Sequence, residues 1–466
     1  MPSLKEFTSE LSLQPHYDRY LSVDELDRNS ETLANDNTNA VKLLKLGKTK
    51  KGHQLLALKI GNGTHNALVY GCSNPEEPIG GVALDYFSHA LTADERLLRE
   101  LDYTWYIITC IDPDGARLTE GYLKGPFTPY NLALNYYRTP LSETGEDNFP
   151  YRYGDILDLN KPTPETISLM QILEGRKFDF VSSLHAMWLA GMTFQVSEPC
   201  AQIYGPLEQL AKTNGIAVGR RVFPWGEVAP GVQLASWMTP ATNYVRLKMQ
   251  GKQPLQPLTG AFVLEFARLA NPHVFMMIPE CGAWFDPRIH DERPSGSTLK
   301  DAREYRSILD KATNELVLDT YKALQPQLSV HSPFRTVLED QIEEISHPTL
   351  SVIQPDLELT TEHLNREITV AQKLELEAEL HIDRLFRIGL IIRTIEYEIQ
   401  HGAGSDELSH TGQDLRTQLE ADNKRMNSLF DIRHYDFGKL ITTIAGSLLF
   451  ASQYAKNSNI PPQLWY

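Results

Sequence analysis

Between Ala67 and Gly115 a short apolar run, a helix-periodic stretch and a second apolar run follow in close succession: ALVYGCS, GVALDYFSHAL and TWYIITCIDPDG. Apolar runs of this length bounded by turn residues read as buried strands. A helix between two of them predicts parallel strands, because parallel neighbours need a long crossover connection. FDFVSSLH and HVFMMIPECG continue the pattern as further buried strands. The fold class is therefore α/β, a mixed, mostly parallel sheet with helices on both faces.

Upstream, SVDELDRNSETLAND has helical spacing, and AVKLLKLG and HQLLALKIG alternate around the turn-rich KTKKG, which predicts a hairpin at a sheet edge. After about residue 335 the character changes. AQKLELEAELHIDRLFRIGLIIRTIEYEIQ, DLRTQLEADNKRMNSLF and FGKLITTIAGSLLFASQYA are long, poor in glycine and helix-periodic. A chain of 466 residues exceeds the roughly 250–300 at which single cores stop growing. The expected division is an α/β domain over 1–334 and an all-helical C-terminal domain over 335–466. TGEDNFPYRYGD and FDPRIHDERPSGS are loop-like segments able to cover a cleft.

Charge narrows the partners. A formal net charge of -16 sets aside nucleic acid and anionic lipid, which are themselves negative. The opening MPSLKEFTSELSLQPHYDRY lacks a basic cluster followed by an apolar run, and no run of about 18 apolar residues occurs, so a cytoplasmic location with no membrane association is expected. Cys72, Cys110, Cys200 and Cys281 are widely separated and lack CxxC spacing, which fits reduced, buried thiols and not a cysteine-based zinc site.

Open α/β sheets place ligands beyond the carboxyl ends of their strands. Three predicted strand ends carry polar groups there: Asn74 with Glu77, His185, and Glu280. Carboxylate and imidazole donors suit zinc with a position left open for water.

In this order the segments resemble the zinc carboxypeptidases of the carboxypeptidase A type. GCSNPEEPIG matches the family's H-P-x-E-P-I-G pattern through Glu77, Pro78, Ile79 and Gly80, with Asn74 in place of histidine. CIDPDGARL, LNYYRTP, DLNKPTPETISLM, SLHAMWLAG and IPECGAWFDP follow in the family's sequence, so the resemblance covers roughly residues 17–330 and leaves the helical tail unmatched. It implies a Zn2+ ion held by Asn74, Glu77 and His185, Glu280 as the general base, and Arg138 stabilising the developing oxyanion. The family's carboxylate clamp falls on Asn160 and Lys161, where lysine is a point charge and not a bidentate fork, with Arg152 able to supply the fork. The implied substrate is a peptide or small amide bearing a free carboxylate, cleaved by metal-activated water.

Each residue has an ordinary structural explanation beside the functional one. His185 suits a hydrogen-bonded core position, and Glu77 suits the N-terminus of the helix it precedes. Glu280 suits a buried pair with Arg288, and Arg138 suits a surface ion pair. Asn74 is open to three readings: an amide-oxygen ligand, a turn residue in a protein that has lost zinc, or a neighbour to some other group. The alternative to a hydrolase is a weakened or inactive homologue that binds ligands or serves as a scaffold. The tail helices suit core packing, a cap over the cleft, or a homo-oligomer contact.

Overall fold

The structure is a computed structural model and describes residues 16–219, 226–252, 259–346 and 360–457. The first helix, α1 (Val23–Asp36), starts at a capping box in which Ser22 and Glu25 satisfy each other's exposed amides. The expected edge hairpin follows as β1 (Val41–Lys48) and β2 (Gln54–Ile60), paired antiparallel. Next come β3 (His65–Gly71), α2 (Ile79–Ala93), β4 (Tyr103–Ile108) and the short helix α3 (Pro129–Leu134). A small separate hairpin, β5 (Tyr151–Tyr153) with β6 (Leu157–Leu159), precedes β7 (Phe180–Leu189), β8 (Thr193–Val196), β9 (Glu227–Ala229), β10 (Val232–Leu234) and β11 (Phe275–Phe285).

The main sheet has ten strands in the order β1-β2-β4-β3-β7-β11-β8-β10-β9, with β14 (Arg433–His434) added on β11. Its centre is parallel, through the pairs β3 with β4, β3 with β7, and β7 with β11. Side chains alternate between the two faces as strand geometry requires. Ala67 and Val69 of β3 join one core, Leu68 and Tyr70 the other, and Met277 and Met276 of β11 divide the same way. Both faces are buried, which is why these strands read as continuous apolar runs and not as alternating ones.

FDPRIHDERPSGS is not a free loop. It forms a short 3-10 turn and then β12 (Pro294–Thr298), which pairs with β13 (Glu367–Thr369). TGEDNFPYRYGD leads into the β5–β6 hairpin after Phe149 bridges to Ala261.

The expected tail helices are present as α6 (Val370–Glu398), α7 (Asp406–Leu429) and α8 (Phe437–Asn457), preceded by α4 (Leu299–Leu324) and α5 (Pro333–Ser346). Their apolar faces belong to the same core that covers one side of the sheet: Leu385, Ile391, Leu440 and Leu448 cluster with Val69, Phe180 and Met277. Polar contacts tie α8 down as well, since the Tyr103 hydroxyl donates to the Ser452 carbonyl at 2.7 Å. The long amphipathic pattern in the sequence thus serves packing onto the sheet. Among the described residues no helix is long and apolar enough to cross a membrane.

Candidate active site

The chain leaves β3 at Gly71, turns through Cys72 with a left-handed φ of 54°, and re-enters helix at Ile79. Two glycines let this turn sit close to the sheet. A Cβ on Gly71 would meet the Gly80 backbone at 2.7 Å, and one on Gly80 would meet Leu184 Cβ at 3.1 Å. The packing of α2 against β3 and β7 is what carries Glu77 to the residue after Leu184, which is His185. Register does the rest: Gly71 pairs with Leu184, and Glu280 pairs with His185. In parallel strands paired residues share a face, so Glu280 and His185 point the same way, as do Tyr70 and Ser183.

Asn74, Glu77 and His185 converge. The Asn74 Nδ2 donates to Glu77 Oε1 at 2.9 Å and lies 3.1 Å from His185 Nδ1. His185 Nδ1 is 3.0 Å from Glu77 Oε2, which also accepts from the Ala186 amide at 2.9 Å. Arg138 closes this side, with Nη1 at 2.6 Å from Glu76 Oε1 and 3.6 Å from Glu77 Oε1. Glu280 accepts from the Gln195 side-chain amide, whose oxygen accepts from Trp237 Nε1.

Three participants were not singled out from sequence. Glu146 Oε1 lies 3.1 Å from His185 Nε2, and its Oε2 accepts from the Tyr70 hydroxyl at 3.0 Å. Ser183 Oγ lies 2.9 Å from the same imidazole nitrogen. Glu76, next to the expected ligand, takes the main contact with Arg138. A signal existed for Ser183, two residues before His185 and hence on its face of the strand. For Glu146 there was none, because it reaches the strand end only through the path of a loop.

Arg152, Asn160 and Lys161 are exposed, on or just beyond the β5–β6 hairpin. Arg152 faces Asp158 at 3.8 Å. Among the described residues no hydrogen bond or ion pair joins these three to Glu77, His185 or Arg138. The alternative partner for Glu280 does not form either, since Arg288 is held by Asp286.

Electrostatics follow from the contacts. Burial alone lowers the pKa of His185, but the Glu146 carboxylate, and then Glu77, more than reverse this and hold it well above its ordinary value. With no metal bound, the two carboxylates thus favour the protonated, imidazolium form of the ring. Burial raises Glu146, yet His185 and its hydrogen bonds leave it below the usual range. Burial pushes Glu76 up to about 7, with Arg138 partly offsetting and Glu77 adding to the shift. Burial and the neighbouring Glu146 push Asp147 up to about 7. Glu146→Gln is accordingly expected to lower the His185 pKa, because one of two flanking charges is gone. NMR titration of the imidazole checks it, and an unchanged midpoint contradicts it.

Among the described residues no three His, Cys, Asp or Glu side chains are arranged to hold a metal, so the Asn74 amide would have to complete a ligand set. In spacing the residues fit a cation: the three groups lie 2.9–3.1 Å apart, slightly inside the roughly 3.3 Å that ligands about 2.0–2.1 Å from a tetrahedral zinc imply. In chemistry they fit on two conditions. His185 must release its Nδ1 proton, since a metal competes with protons for its ligands, and the Asn74 amide must turn its oxygen inward.

Residues 27–217 match the model of the zinc carboxypeptidase family. No curated protein matches the chain. Among solved structures it is similar to carboxypeptidase A from Helicoverpa armigera, at 15% identity over 60% of this chain and 72% of that one, with a TM-score of 0.39. It is also similar to a metallo-carboxypeptidase from Burkholderia cenocepacia (12% identity, 56% and 60% covered, TM-score 0.33). A third is the murein-tripeptide amidase from Escherichia coli O157 (14% identity, 53% and 86% covered, TM-score 0.29). At these scores the structural likenesses carry no functional weight.

Proposed function

We propose, from the zinc carboxypeptidase match over residues 27–217, that this protein is a zinc-dependent hydrolase of peptide or amide bonds. The observation that carries the reading is the meeting of Asn74, Glu77 and His185 within 3.1 Å, just beyond the end of β3 and midway along β7, with Glu280 in register beside His185. Zinc, when bound, would act as a Lewis acid and bring the pKa of its water toward about 7. The chain's own residues supply the remaining chemistry. Glu280, oriented by Gln195 and Trp237, accepts a proton from the attacking water and returns it to the leaving amine. Arg138 places a fixed cation where negative charge develops on the carbonyl oxygen. Tyr70 and Glu146 orient His185 from its far side, the kind of outer support that fixes a ligand's ring.

The substrate under this reading is a peptide or small amide with a free carboxylate, and the location is cytoplasmic. A carboxylate bound by Arg152, Asn160 or Lys161 would lie at the exposed hairpin, so the substrate would have to span from there to His185. Metal analysis of protein prepared with zinc should find about one zinc per chain, lost in His185→Ala and in Glu77→Ala. Asn74→His should tighten zinc, since imidazole is the better donor. Metal-free wild type would sink the reading.

One observation favours a second reading. Arg138 and the imidazolium of His185 already place two positive charges among Glu76, Glu77 and Glu146. With Glu76 raised to about 7 and so partly protonated near neutrality, the two cations offset most of the negative charge without a metal, which suits a ligand-binding homologue without turnover.

A further inference from the structure

Through one face of α6 the helical tail packs on segments that flank the candidate site. Phe386, Gly389 and Arg393 are spaced by three and four residues and so line a single stripe of the helix. Each meets a part of the chain that carries or flanks a site residue.

Arg393 is the clearest of the three. Its guanidinium donates to the carbonyl of Tyr136 at 2.8 Å and to that of Leu118 at 2.7 Å, and it lies 4.1 Å from the centre of the Phe334 ring. Burial lowers its pKa to about 10, and Glu396 only partly offsets this. A cation taken from water to hold two backbone carbonyls is an expensive way to fix a loop. The loop concerned is the one that bears Arg138, two residues beyond Tyr136.

Phe386 stacks on the Tyr136 ring, with centroids 4.8 Å apart and planes 13° apart, and meets Trp188 edge-on at 4.7 Å. Trp188 lies three residues beyond His185 on β7. Gly389 allows the approach: a Cβ there would stand 2.0 Å from the Ala133 carbonyl oxygen, at the end of α3. One helix face therefore braces both the Arg138 loop and the end of the strand that carries His185.

We infer that α6 is a built-in support of the active site and that Arg393 is a positioning residue for Arg138. This rests on the role proposed above for Arg138, and it gives the tail, which lies outside the family match, a part in the reaction. Arg393 touches no reacting atom. It acts by holding the Tyr136 carbonyl, and with it the direction in which Arg138 enters the cluster of Glu76 and Glu77.

The test uses the full chain with Arg393→Lys, which keeps the charge but cannot bridge two carbonyls as a planar fork. Phe386→Leu is the second variant, should the first fail to fold. Hydrogen–deuterium exchange is expected to speed up at least tenfold in residues 134–140 while β3 and β11 keep their wild-type protection. Unchanged exchange in 134–140 overturns the inference, and so does an increase spread evenly over the chain, which would mean general destabilisation only.

With a hydrolysable substrate in hand, Arg393→Lys should lower kcat about tenfold with KM within twofold. Added to Arg138→Gln it should cost nothing more. Independent, multiplying losses overturn the assignment. Absence of turnover in the wild type would remove the hydrolase reading but leave the exchange result to decide whether α6 supports the loop.

Discussion

If the proposed hydrolase reading holds, Glu280→Gln is expected to lower kcat by about 10²–10⁴-fold, the range associated with loss of a general base, while KM and zinc content stay near wild type. The substitution is close to isosteric, and the Gln195 amide that donates to Glu280 can donate equally to a glutamine oxygen. Position and packing are kept, and only the capacity to take a proton is removed. Steady-state kinetics on an amide substrate, with metal analysis of the same preparation, checks it. Equal turnover in mutant and wild type would remove Glu280 from the chemistry and favour the non-catalytic reading.

In metal-free protein, His185→Ala has the largest expected effect on stability. The imidazolium lies between Glu77 and Glu146, with its side chain 11% exposed. Removing it leaves two carboxylates without their shared partner. Breaking a buried pair by deleting one member costs about 3–5 kcal/mol, and chemical denaturation near neutral pH should show a loss of that order.

The pH dependence has a definite sign. The folded pKa of His185 is raised, so its contribution is fully present below its ordinary 6.5 and is lost as pH rises through the folded value. The folded pKa of Glu146 is lowered, so its contribution is present above its ordinary 4.5 and is lost as pH falls through the folded value. The penalty of His185→Ala is therefore greatest between about pH 4.5 and 6.5 and declines above that window. A penalty that grows with pH above 6.5 would mean that the ring is held neutral.

The strands and crossover helix around the site were legible because both faces of the sheet are buried, so ALVYG, TWYII and FMMIP could hardly be anything but interior strands. Asn74 and Glu77 were legible for the same reason, since they stand where the buried run of β3 gives way to polar residues; His185 and Glu280 were expected at strand ends, but β7 runs on to Leu189 and β11 to Phe285, so both lie within their strands. Glu146 was not, because its segment has no periodicity and only the loop's path brings it to His185. Arg152, Asn160 and Lys161 were placed by resemblance in sequence order alone, and the hairpin carries them to an exposed position. The tail helices were recognisable as helices, but helical spacing does not say what an apolar face packs against. That α6 lies on the Arg138 loop becomes visible only where Gly389 meets Ala133 and Arg393 meets Tyr136.

Whether Asn74, Glu77 and His185 hold a metal decides between the hydrolase and the non-catalytic reading. Anomalous diffraction at the zinc edge, from crystals grown with zinc, tests this directly. The predicted result is one strong peak about 2.0–2.2 Å from His185 Nδ1 and a Glu77 oxygen, with the Asn74 amide oxygen turned toward it. No peak at this position, with His185 Nδ1 still on Glu77 and Arg138 still on Glu76, would contradict it.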